Sequence, residues 1–103
     1  MPTLVWKSPI RFGSPSDEAA FFNWLHKIPC VVGVSGVGVE LHIKIKSKKV
    51  SAQSLRELIA IYARYRGRMA DLAMFENASN THWFRCVDAY WYKRVFGGVR
   101  NGG

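Results

Sequence analysis

The sequence predicts an α+β fold, a two-layer sandwich in β-α-β-β-α order with a three-stranded sheet and a further helical segment at its C-terminal end. Three patterns carry this expectation. Residues 39–46 alternate apolar and charged without interruption, residues 51–67 place apolar side chains at helical spacing between a serine and a glycine, and residues 14–29 read as another capped helix. The 103 residues match one ordinary domain, expected over residues 1–98, with a mobile tail at 99–103. Hydrophobic residues make up 49% of the chain and charged ones 21%, enough apolar material to offset the entropy lost on ordering.

The opening TLVWKSPIRF sets Leu4, Trp6, Ile10 and Phe12 in one alternating phase and Val5, Lys7, Pro9 and Arg11 in the other, as a half-buried strand does. Pro9 marks an edge strand or an interruption, because it has no N–H to donate. Ser14 as N-cap, Pro15 at the first helical position and Asp17 three residues after the cap start a helix that Pro29 stops. Phe21, Phe22, Trp24, Leu25 and Ile28 form its apolar face. CVVGVSG and VGVELHIKIKSK read as two strands joined by a tight turn around Gly36 and Gly38. In the second of them Val39, Leu41, Ile43 and Ile45 face one way, and Glu40, His42, Lys44 and Lys46 the other.

The next helix starts at Ser51 or at Ser54, the latter forming a capping box with Glu57, and Gly67 is its expected stop. Its buried stripe is Leu55, Leu58, Ile59, Tyr62 and Tyr65. Beyond it the chain reads as a short helical turn, a loop through Asn77 to Asn80, another turn, and a last helix with Asp88 as N-cap and Gly97 as stop. A crossover between the first two strands and a hairpin between the next two place the third strand centrally, with helices on one face. This order resembles a ferredoxin-like sandwich lacking its last strand, a resemblance of topology that implies no particular activity.

Catalytic apparatus is not visible. His26, His42 and His82 lie in three elements without metal-ligand spacing, and Cys30 and Cys86 stand alone, so neither a metal nor a cofactor is expected and both cysteines read as reduced, buried thiols. The order of Gly33, Gly36 and Gly38 is wrong for a dinucleotide fingerprint, and no nucleophile motif occurs. No apolar run is long enough to span a bilayer, and the start lacks the pattern of a signal peptide, so a cytoplasmic protein without membrane contact is expected.

Charge is the strongest functional signal. The chain carries a formal +8, and between residues 44 and 68 eight cations meet one carboxylate, Glu57. Lys7, Arg11, His42, Lys44, Lys46, Lys48, Lys49, Arg64, Arg66 and Arg68 are the candidate anion-binding residues, and the expected partner is a nucleic-acid phosphate backbone or an acidic protein surface. The outward phase of the two alternating strands carries no aromatic side chain, which disfavours base stacking on the sheet. The competing expectation is a protein-interaction or regulatory domain, a homodimer among them, that uses Trp83, Tyr90, Trp91, Tyr92, Lys93 and Arg94. Closure of a small core is the ordinary use of the same aromatic residues.

Overall fold

The alternation of residues 39–46 becomes the middle of a sheet. In the computed structural model, which describes residues 1–7 and 9–97, β1 (Thr3–Trp6), β2 (Val31–Val37) and β3 (Glu40–Ile45) lie antiparallel in the order β1-β3-β2. Helix α1 (Pro15–Lys27) leads from β1 to β2, and α2 (Ala52–Tyr65) follows β3. A 3-10 segment (Met69–Phe75), the single-turn helix α3 (Thr81–Phe84) and a π-helical turn (Lys93–Gly97) complete an α+β fold. The expected tail at 99–103 lies outside the described residues.

Register decides which side chains face the helices. Leu4 pairs with Ile43 and Trp6 with Leu41, so Leu4, Trp6, Ile43 and Ile45 enter the core while Val5, His42 and Lys44 take the opposite face. A bulge between Val31 and Gly33 shifts β2 by one residue and leaves Val32 exposed. The hairpin turn is Gly38-Val39, with Gly38 at φ +62° in the first central position, as a type II′ turn requires. Val39 therefore leaves the inward phase in which its alternation placed it and is 75% exposed.

The helix starts follow local chemistry. Ser14 Oγ accepts from Asp17 N at 3.1 Å with Pro15 in the first turn, and Ser51, not Ser54, caps α2 by accepting from Ser54 N at 3.1 Å. Glu57 is then free to accept from Trp24 Nε1 at 2.7 Å, which ties α2 to α1. The end of α2 departs from expectation. Arg66 adopts the left-handed conformation (φ 63°, ψ 40°), a position usually left to glycine, and Gly67 N–H returns to Tyr62 O at 2.8 Å. Gly67 serves packing instead: a Cβ there would sit 2.5 Å from Tyr62 Cδ2 and 2.9 Å from two Trp6 ring atoms.

One buried cluster joins the sheet, α1, α2 and the C-terminal segment. Phe84, Val95 and Phe96 are buried in it, and Asn80 secures the preceding loop by donating to Phe75 O at 2.8 Å and accepting from Asn77 N at 2.9 Å. Asp88 starts no helix, since residues 87–91 form turns before the π-helical turn. Cys30 is buried and Cys86 exposed, both as free thiols, so only one of them fits the buried placement expected. No described helix is long and apolar enough to cross a membrane.

Candidate anion-binding groove

The ten candidate cationic positions divide into three groups in space. The outward sheet face holds His42 and Lys44, but His42 Nε2 lies 3.0 Å from Glu40 Oε1 and the Lys44 stem runs beside Gly33, where a Cβ would be 3.7 Å from Lys44 Cδ. This face is thus partly self-neutralised. Lys46 and Lys49 border a separate concavity of about 170 Å³ with Cys30, Ser51 and Ser54, and Lys48 is exposed on the same loop. There burial pushes the Cys30 thiol pKa up, which makes it a poor nucleophile.

Lys7, Arg11, Arg64, Arg66 and Arg68 come together around β1 and the end of α2. Three concavities that share lining residues form one groove. The largest, about 680 Å³, is lined by Trp6, Pro9, Arg11, Arg64, Tyr65 and Arg66. It meets a second of about 330 Å³ at Trp6 and Arg66, where Val5, Lys7 and Arg68 join. The third, about 240 Å³, continues past Val5, Lys7 and Arg68 to Asp71 and Met74. Arg11 lies beyond the end of β1, so the sequence phase that put it on the strand was interrupted after Trp6, and it reaches the groove from the following loop.

Asp17 links the walls. Tyr65 OH donates to Asp17 Oδ1 at 2.8 Å, and Gly13 N donates to Asp17 Oδ2 at 2.8 Å. The Gly13 amide, the Tyr65 hydroxyl and the Arg64 charge together hold the Asp17 carboxyl below its usual pKa, so it stays ionised and keeps the Tyr65 ring in place. Arg64 lies with its guanidinium carbon 5.5 Å from that ring. Arg66 and Arg68 flank Gly67 in sequence and line the same concavity, and the missing side chain at 67 lets Trp6 approach the backbone between them. Among the described residues the ion pair in the groove is Arg68–Asp71 at 3.6 Å, leaving a net excess of positive charge.

The aromatic C-terminal residues have occupations of their own. Trp91 Nε1 donates to Phe84 O at 2.7 Å, Trp83 meets Trp91 edge-on at 6.2 Å with Arg56 4.1 Å above its ring, and Tyr92 packs 5.9 Å from Phe96. Tyr90 remains 63% exposed, and Lys93 and Arg94 are exposed beside it. Arg85 is clamped by Glu76 at 2.6 and 2.7 Å and covers Phe96 at 4.2 Å. Among the described residues no group of three or more His, Cys, Asp or Glu side chains is placed to hold a metal.

The five cations of the groove and Tyr65 beside its arginines were legible in the sequence, whereas Trp6 and Pro9 at one end and Thr3, Asp71 and Met74 at the other were not. The available signal was Gly67 between Arg66 and Arg68, a glycine that a large side chain closely approaches. Compared with known proteins, the chain matches no family model, no curated protein and no solved structure.

Proposed function

We propose that this chain is a non-catalytic binding module for an anionic macromolecule, held in the groove between β1 and the end of α2. The observation that supports it most is the gathering of Lys7, Arg11, Arg64, Arg66 and Arg68 around connected concavities whose described lining includes one carboxylate, Asp71. Low-dielectric walls made by Trp6 and Tyr65 focus that field and raise the local concentration of polyanions. A nucleic-acid backbone meets this requirement through phosphate contacts alone. The order β1-β3-β2 with α1 between the first two strands supports reading the scaffold as a ferredoxin-like sandwich without its last strand. The free thiols of Cys30 and Cys86 support a reducing, cytoplasmic setting.

The test is an anisotropy titration of single- and double-stranded DNA and RNA and of polyglutamate, at 50 and 200 mM salt. Five neutralised phosphates on duplex DNA correspond to a log–log salt slope of about −4.5, so affinity should fall roughly 500-fold across that range. Replacing Arg64, Arg66 and Arg68 by Gln should weaken binding more than replacing Lys44, Lys46, Lys48 and Lys49. No polyanion binding at 50 mM salt would end this reading.

A further inference from the structure

The groove runs along an open edge of the sheet. β1 ends the strand order, with β3 on one side and, among the described residues, no strand on the other. Ile45 N donates to Pro2 O at 2.9 Å, and antiparallel pairs alternate between bonded and non-bonded. Leu4/Ile43 and Trp6/Leu41 are therefore the bonded pairs, while Thr3/Lys44 and Val5/His42 are not. The N–H and C=O groups of Thr3 and Val5 consequently point away from β3, toward the concavities that these two residues line.

From this edge we infer that β1 accepts an extended segment of an acidic partner protein as an added strand. The inference rests on the anionic-partner reading and narrows it. A sheet edge offers donors and acceptors in alternation, and a polypeptide strand matches both. A phosphodiester backbone offers acceptors only, and would set its oxygens against the outward carbonyls of Thr3 and Val5. At about 3.3 Å per residue, the four residues of β1 span about 13 Å and seat about four guest residues.

Lys7, Arg66 and Arg68 line the same concavities as Thr3 and Val5, so a guest strand carrying carboxylates meets positive charge where its backbone meets the edge. The same cations act against self-association: a second copy would bring another chain of formal charge +8 to the same edge. Attraction of an acidic strand and exclusion of a like-charged one thus come from one set of residues.

The experiment uses the full chain and a blocked peptide of about eight residues alternating Glu and Val, next to the same peptide N-methylated at every second amide, so that one edge loses its donors. The expected result has three parts. The plain peptide binds, amide exchange at Thr3 and Val5 slows at least tenfold, and the N-methylated peptide binds at least tenfold more weakly. Val5→Pro, which takes away an N–H directed away from β3, should weaken the plain peptide at least tenfold; if that variant does not fold, the methylated peptide still decides.

Equal binding of both peptides, or unchanged exchange at Thr3 and Val5, would overturn strand addition and leave the anionic-partner reading standing. DNA or RNA binding that displaces the peptide without slowing those amides would do the same and assign the groove to phosphates. Exchange protection at Thr3 and Val5 that grows with concentration of the protein alone would give the edge to a second copy and overturn the inference. Failure of every polyanion at low salt would overturn both.

Discussion

Gly67→Ala tests the packing on which the groove depends. The added methyl carbon would fall 2.5 Å from Tyr62 Cδ2 and 2.9 Å from two atoms of the Trp6 indole. Tyr62 has no room to withdraw, being fully buried, and Trp6, 4% exposed, is tilted against it at 4.5 Å with Phe21 edge-on at 5.4 Å. Overpacking of this kind costs about 1–3 kcal/mol, and the immobile Tyr62 ring, approached most closely, puts this site in the upper half of that range. Alanine also lowers the entropy of the unfolded chain, which returns about 0.4–1 kcal/mol. The net expectation is a loss of about 1–2.5 kcal/mol, equivalent to a fall in Tm of roughly 4–20 °C for a domain of this size. Urea unfolding followed by tryptophan fluorescence measures it, with an unchanged m-value showing that the two-state comparison holds. Trp6→Phe removes the two indole atoms involved, so in that background the alanine should cost about 0.5–1 kcal/mol less. An alanine variant within about 0.5 kcal/mol of the parent would refute the account of the Trp6–Gly67 approach.

Three further outcomes follow from the same geometry. Arg66→Gly relieves a left-handed non-glycine residue, so thermal unfolding should show equal or higher stability, by up to about 1 kcal/mol, while polyanion affinity falls; loss of stability would mean that the Arg66 side chain holds the fold. Tyr62 OH is the one buried side-chain polar atom without a hydrogen-bond partner among the described residues, so Tyr62→Phe should raise stability by about 1 kcal/mol in urea melts, and a lower value would show that the hydroxyl is satisfied in solution. Glu76 is held down to about 2 by its hydrogen bonds to Arg85 and then Thr81. A depressed carboxylate stabilises the fold above its unfolded pKa near 4.5 and loses that contribution as pH falls toward about 2. Exposure of Arg85 to solvent screens the pair and keeps this contribution small. Carbon-detected NMR titration should place its midpoint near the lower end of that window, and Glu76→Gln should flatten the acid limb of stability.

The sequence by itself determined the elements whose signals are short-ranged. The faultless alternation of Leu41, Ile43 and Ile45 with His42 and Lys44 specified β3 and its faces, because a period of two survives only if one face is buried. Ser14, Pro15 and Asp17 specified the start of α1 through bonds that span three residues. Other features depended on partners far along the chain. That position 67 lacks a side chain was decided by Trp6, sixty-one residues earlier in sequence, whose ring occupies the space that a Cβ there would need. Val39 had the right phase for the core but was taken by the two-residue turn, and Asp88 had the right type for a cap but no helix formed behind it.

The charged residues divide in the same way. Composition showed that the chain is basic, but the adjacent Lys44, Lys46, Lys48 and Lys49 disperse over the outward face and a loop. Lys7 and Arg11 instead meet Arg64, Arg66 and Arg68 across more than fifty residues of sequence. Lys44 and Lys46 share a strand phase but separate because β3 ends at Ile45, whereas the end of α2 meets β1 where Tyr62 packs against Trp6. Local periodicity encodes which face of each element is apolar; only the packing of those faces against each other decides which polar residues are brought together at their rims.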